Sequence, residues 1–252
     1  MSSNRVKLLL VAMLAVFAFS VVVASAAEAG EYYYCKKLTT STGKWEKGCE
    51  TKNAKSEGKY EKVKGPGPEP KYTSKTGVAI LASSGEKIEC KASTDKGEVT
   101  GPKTDTDMVT FTKCVLVSTG GACTTEGQSS GTIKTHLLDT LLIDHGEKGL
   151  SGLEPAVGEV WNQFVSSEGE PYQAEFTCSG VKFRVSGSLS CRIEPVNVMT
   201  TSFTLTCEAG VAEQDLITEY NAGAGWSAPE ASVETIKEGK ITTKEATEIR
   251  AT

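Results

Sequence analysis

From Gly77 onward the chain repeats one pattern: a short apolar or alternating run, a turn signal, then another run. Strict alternation marks a half-buried strand, because successive side chains leave opposite faces of the backbone. In Lys87-Ile88-Glu89-Cys90-Lys91-Ala92 the apolar residues Ile88, Cys90 and Ala92 share one face. Val78 to Ala82 is a short apolar run, and Met108 to Val117 is rich in Val, Thr and Phe, as strands are. Thr132 to Ile143 reads as a longer strand or a bent pair. Val157–Val165, Tyr172–Cys178, Val181–Cys191 and Thr201–Cys207 follow, separated by Gly, Pro, Asn or Ser. Strands at roughly 8–12-residue spacing point to an all-β fold, a β-sandwich or barrel. Too few helical windows exist for alternating helices and parallel strands.

Several local readings follow from the same rules. Asp95-Lys96-Gly97 and Gly101-Pro102 read as turns. Asp105-Thr106-Asp107 has the alternate acids of a calcium loop but lacks its glycine and closing glutamate, so a solvated turn is expected. Leu137, Leu138, Leu141 and Leu142 fit a helix face as well as a buried strand; Thr135 at the start and Gly146 at the end favour strand. The tail, Ser232 to Thr252, reads as a hairpin turning at Lys237-Glu238-Gly239-Lys240.

The N-terminus sets the compartment. Arg5 and Lys7 precede an uncharged apolar run from Leu8 to Ala24, and Ala24-Ser25-Ala26 has the small-x-small form of a cleavage site. Residues 1–26 are therefore read as a secretory signal peptide, with Ala27-Glu28-Ala29 as a second cleavage site. The rival reading is an uncleaved anchor, but the run falls short of the ~20 residues that span a bilayer. No other long apolar run exists, so no membrane span is expected after signal removal. The expected location is secreted, extracellular or in the cell envelope. There cysteines act as staples, and the chain has eight: Cys35, Cys49, Cys90, Cys114, Cys123, Cys178, Cys191 and Cys207. No C-x-x-C occurs, which argues against thioredoxin chemistry and zinc knuckles.

Charge divides the rest. Residues 31–71 carry ten Lys and six Glu; residues 72–252 carry fifteen basic and twenty-five acidic groups. The shift falls at Gly65-Pro66-Gly67-Pro68-Glu69-Pro70, where prolines fix φ and remove donors. The expected domains are a small basic aromatic β module at 30–64, a Pro/Gly linker at 65–71 and an acidic β-sandwich or barrel at 72–252. The module holds an echo: Gly43-Lys44-Trp45-Glu46-Lys47 recurs as Gly58-Lys59-Tyr60-Glu61-Lys62. With Tyr32-Tyr33-Tyr34-Cys35 this suggests three short strands, too few to be stable without a staple.

Gly85-Glu86-Lys87-Ile88-Glu89-Cys90, Gly101-Pro102-Lys103-Thr104, Phe111-Thr112-Lys113-Cys114, Cys123 with Gly127, Gly131-Thr132-Ile133-Lys134-Thr135 and Leu138 resemble a group of uncharacterised secreted bacterial β-rich, cysteine-containing proteins. Phe176-Thr177-Cys178 and Val185-Ser186-Gly187-Ser188 extend the resemblance, which covers roughly residues 77–220. In that group a glycine often precedes the cysteine that Cys114 matches; Lys113 stands there in this chain. The resemblance implies a four-cysteine core and no particular chemistry. Taken with the residues, it gives four expected bridges: Cys35–Cys49, Cys90–Cys178, Cys114–Cys123 and Cys191–Cys207.

No catalytic signature is present, and no metal site or cofactor is expected. Gly149-Leu150-Ser151-Gly152 lacks nucleophile-elbow spacing. His136, Asp139, Asp144 and His145 hold the elements of a site, but in a strand His136 and Asp139 point to opposite faces. The acidic balance argues against nucleic-acid binding. The module is the most suggestive region: Tyr34, Trp45 and Tyr60 lie among Lys44, Lys59 and other lysines, a pattern suited to a sugar ring or an anionic wall polymer. The bland alternative is that the rings pack across strands while the lysines solvate an edge. The expected function is an exported non-enzymatic binding or structural protein whose partner is a cell-wall polysaccharide or another envelope protein. The alternative is a secreted hydrolase whose site forms only on folding.

Overall fold

The structure, a computed structural model, describes residues 30–83, 85–143, 159–207 and 214–251. Residues 1–26, read above as a signal peptide, and Asp144 and His145 lie outside the described residues. The first module supplies β1 (Gly30–Lys37) and β2 (Tyr60–Lys64). The chain continues through β3 (Lys71–Thr76), β4 (Ala79–Ser83), β5 (Glu86–Cys90), β6 (Ala92–Val99) and β7 (Thr104–Thr112). Then come β8 (Val115–Leu116), β9 (Gly121–Thr124), β10 (Thr132–Lys134) and β11 (Leu138–Ile143). The remainder is β12 (Val160–Ser166), β13 (Ala174–Cys178), β14 (Val181–Ser186), β15 (Ser188–Glu194), β16 (Thr200–Cys207), β17 (Leu216–Asn221) and β18 (Glu230–Ala251).

These strands pair antiparallel and close on themselves. One ring of eight runs β3–β6–β7–β11–β12–β15–β16–β18 and back to β3. A second ring closes through β18–β4–β5–β8–β9–β13–β14–β17 and back to β18. Four strand pairs cross from one ring to the other with a short break: β3 to β4, β5 to β6 at Lys91, β7 to β8 at Lys113-Cys114, and β14 to β15 at Gly187. β18 crosses without one. Closure leaves no free edge within either ring, which removes the template for strand addition. One continuous apolar core fills both rings, from Ile249 and Phe203 to Phe176, Phe183 and Ile88.

Some expectations change here. The tail is a single strand, not a hairpin. Its residues pair with β3 and β4 on one side and β16 on the other, so Gly239 sits between Thr76 and Leu205 and no turn is needed. Asp95-Lys96-Gly97 is not a turn but the middle of β6. Gly97 is required there because the Tyr72 ring lies across it: a Cβ would stand 2.0 Å from Tyr72 Cζ. Asp105-Thr106-Asp107 is not a solvated turn; it lies in β7 with both acids inside the barrel. Gly101-Pro102 is a turn, closed by N–H groups of Thr100 and Gly101 donating to Thr104 O. The leucine-rich stretch is strand from Leu138 to Ile143.

All eight cysteines are paired. Cys35–Cys49 and Cys191–Cys207 join the expected partners. The other two expected bridges, Cys90–Cys178 and Cys114–Cys123, are replaced by Cys90–Cys114 and Cys123–Cys178. Register decides this. Cys123 and Cys178 stand directly opposite on β9 and β13, with Cα atoms 4.1 Å apart. Cys90 ends β5 and Cys114 immediately precedes β8, strands that pair with each other, leaving Cα atoms 4.0 Å apart. Disulfides at this density are typical of extracellular proteins. Among the described residues no helix is long and apolar enough to cross a membrane.

Candidate functional site

The first module docks on the barrel through β1. β1 pairs with the end of β18 on one side and with β2 on the other. Alternation sends Tyr32 inward and Tyr33 outward. The Tyr32 hydroxyl donates to Asp105 Oδ2 at 2.6 Å, and its backbone N–H donates to Pro102 O at 2.7 Å. The Pro/Gly stretch is pinned at its ends: Gly65 N–H donates to Tyr32 O and Val99 N–H to Pro70 O.

The outer face of β2, β1 and β18 carries alternating rings and charges. Lys62 pairs with Glu248 and lies 4.1 Å over the Trp45 ring. Glu248 also accepts from Arg250 Nε at 2.9 Å, and the Arg250 guanidinium lies 3.9 Å over the Tyr33 ring. Tyr33 donates to Glu31, which Lys64 also reaches. The Lys64 hydrogen bond lowers the Glu31 carboxyl below its ordinary range, against the opposing effect of its desolvation.

The sequence echo has a structural meaning. Gly43 and Gly58 exchange both backbone hydrogen bonds, and so do Trp45 and Tyr60. The two copies thus clasp each other. Approach is close enough that a Cβ on Gly43 would stand 2.4 Å from Tyr60 O, and one on Gly58 2.2 Å from Trp45 O. The expected third strand is therefore a bridged segment followed by a 3₁₀ turn at Lys47–Cys49. Of the five residues singled out for ligand binding, Trp45, Tyr60, Lys44 and Lys59 meet in this clasp. Tyr34 sits farther along β1, opposite Val63. All three rings are half-buried; Lys44 and Lys59 are exposed, as are Lys36, Lys37 and Lys47. One face of Trp45 is occupied by the Lys62 ammonium, a cross-strand packing role of the kind the bland alternative anticipated.

His136 lies on the surface just before β11, its Nδ1 2.9 Å from Glu170 Oε2, with both side chains about two-fifths exposed. Asp139 is placed in β11, against Thr106 and Val165. Among the described residues no group of three or more His, Cys, Asp or Glu is placed to hold a metal ion.

Two constellations escaped sequence reasoning. On the outer wall Arg184 of β14 makes a two-pronged pair with Glu219 of β17, at 2.7 and 2.8 Å. Its guanidinium lies between the Tyr172 ring at 4.6 Å and the Trp226 ring at 4.0 Å. The hydrogen bonds raise the Arg184 pKa and lower that of Glu219. This clamp ties the Trp226 loop and the Tyr172 segment to the wall; nothing in the spacing of the four residues announces it.

The second constellation is inside. Asp95, Asp105 and Asp107 are 6%, 1% and 2% exposed. Asp105 accepts from the Tyr32 and Tyr72 hydroxyls and from Asn162. Asp95 accepts from Ser74, and Asp107 from the Met108 N–H at 2.7 Å. Three small cavities of ≈ 60, ≈ 50 and ≈ 20 Å³ follow one another along the interior. Glu234 of β18 lines the first two, Asp95 the last two, and Asp107 the smallest. Among the described residues no lysine, arginine or histidine lines any of them. Burial therefore pushes all four carboxyls up: Asp95 and Asp105 above the ordinary range, Asp107 well above it with help from the Asp95 and Asp105 charges, and Glu234 up to about 7. The signal was legible in principle. Asp105 and Asp107 keep phase with Val109 and Phe111, and Asp95 keeps phase with Val99.

Cavities of this size have room for a water or two each, well short of the several hundred Å³ of an ordinary organic-ligand pocket. The chemistry the arrangement can perform is proton binding inside and ionic or ring contact outside. No family model matches the chain, and no curated protein and no solved structure matches it.

Proposed function

We propose that the chain works outside the cytoplasm as a non-catalytic binding protein of the cell envelope, its lysine-rich cap engaging an anionic cell-wall polysaccharide. The observation that carries this reading is the cap itself. Lys36, Lys37, Lys44, Lys47 and Lys59 are exposed around the Trp45–Tyr60 clasp, on a chain whose remainder is strongly acidic. The leader-like N-terminus and the four bridges support an exported scaffold. A double ring filled with side chains suits a rigid platform, and a cluster of exposed ammonium groups suits a polyanion.

Co-sedimentation with purified anionic wall polymer tests it, with a neutral glucan as control. Retention on the anionic polymer alone is expected, weakening as sodium chloride rises because such contacts are screened. The charge reversals Lys44→Glu and Lys59→Glu together should abolish retention while leaving the circular dichroism spectrum intact. Equal retention on the neutral glucan, or undiminished retention by the folded double variant, refutes the reading.

A further inference from the structure

Among the described residues, the smallest cavity is lined by carboxyl, amide and hydroxyl oxygens and by no basic side chain. Asp107 of β7 stands opposite Gly97 of β6, and Asp95 lies two residues further along β6, so the two carboxyls are diagonal neighbours on the inner face. Both line the same ≈ 20 Å³ space. Asn162 of β12 lines it too; the residue is 3% exposed, and its Oδ1 has no hydrogen-bond partner. Thr243 of β18 adds an Oγ1 that is likewise buried without a partner. The other titratable groups facing the pair are Tyr32 from β1, Tyr72 from β3, Asp105 from β7 and Glu234 from β18. None of them brings a positive charge.

We propose that Asp95 and Asp107 form an internal proton-binding site, holding one proton between them at neutral pH, with Asn162 Oδ1 receiving a hydrogen bond through one enclosed water. Two adjacent buried carboxylates cannot both stay ionised without a counter-charge. A shared proton removes one of the two adjacent charges and leaves a carboxyl able to donate a hydrogen bond into the cavity. A cavity of this volume has room for one water. Occupancy of the site then sets how firmly β6 and β7 are held at the barrel end where Tyr32 docks the first module. Loss of the proton puts two like charges beside Asp105 and loosens that end. This inference concerns the interior and does not depend on polymer binding at the cap.

Nuclear magnetic resonance of the folded chain with ¹³C-labelled aspartate tests it without any substitution. The Cγ resonances of Asp95 and Asp107 are expected to move together as a coupled pair, with one proton still bound at pH 7. If both titrate as ordinary carboxyls near pH ~4, the proposal fails. Asp107→Asn provides a second arm. The fall of the thermal midpoint with rising pH expected of the natural chain should be shallower in this variant, and a slope unchanged by the substitution also overturns the proposal.

Discussion

Replacing Glu234 with glutamine should make the protein more stable at alkaline pH and leave it nearly unchanged in acid. Glu234, half-buried, lies on the inward face of β18 between buried Ser232 and Ile236, and among the described residues no basic group lines the two cavities it borders. Desolvation, with a smaller contribution from the Asp95 charge, moves its carboxyl from 4.5 to about 7. A folded-state pKa above the unfolded value means that the native state holds the proton more tightly. The resulting stability is fully present below about pH 4.5 and is lost as pH rises through 7. A shift of that size corresponds to about 3 kcal/mol between pH 4 and pH 8. Glutamine cannot ionise, so Glu234→Gln should gain up to ~3 kcal/mol over the natural chain at pH 8, or ~6–12 °C in thermal midpoint for a chain of this length. Circular dichroism melts of both proteins from pH 4.5 to 9 give the difference curve. Carboxylates held low by partners, such as Glu31, Glu89 and Glu219, titrate alike in both and drop out of it. Parallel curves across the whole range would refute the claim that the Glu234 carboxyl is desolvated and unneutralised.

The remaining expectations concern packing and staples. Gly97→Ala forces a methyl into the Tyr72 ring and should destabilise by ~1–3 kcal/mol in urea melts; a neutral result would mean that the ring does not lie across β6. Tyr32→Phe removes a donor from buried Asp105 and should lower stability by ~1–3 kcal/mol at pH 7. Its effect should shrink in acid, where Asp105 is neutral, and a loss independent of pH contradicts the hydrogen-bond account. Replacing Cys123 and Cys178 together by alanine opens a bridge spanning 55 residues and should cost about 4 kcal/mol, against about 3 for the Cys35–Cys49 pair with its span of 14. Denaturant midpoints of the two double variants compare them, and a costlier Cys35–Cys49 loss goes against the expectation.

Much of the fold was readable from alternation alone. Ile88 with Cys90, and Leu138 with Leu142, keep the period of two that places them inside, and the strands at 138–143, 160–166 and 200–207 follow from it. What alternation could not supply was register. Four of the eight cysteines sit on or directly beside strands whose partners are set by ring closure, so Cys90 met Cys114 and Cys123 met Cys178. Composition misled where the barrel interior is polar. Asp95-Lys96-Gly97 and Asp105-Thr106-Asp107 carry residue types that favour turns on average. Here Gly97 makes room for Tyr72, and the aspartates find hydroxyl and amide donors on facing strands. At the cap, the echo of Gly43 to Lys47 in Gly58 to Lys62 was visible, but its meaning as a mutual backbone clasp needed three dimensions. The Arg184 clamp joins residues 172, 184, 219 and 226, which only the pairing of β14 with β17 brings together.

The register of the doubly closed barrel brings specific thiols together. Non-reducing peptide mapping of the folded protein tests that most directly. It should return four linkages and no free thiol: Cys35–Cys49, Cys90–Cys114, Cys123–Cys178 and Cys191–Cys207. A peptide joining Cys90 to Cys178, or a folded protein with its thiols reduced, contradicts it.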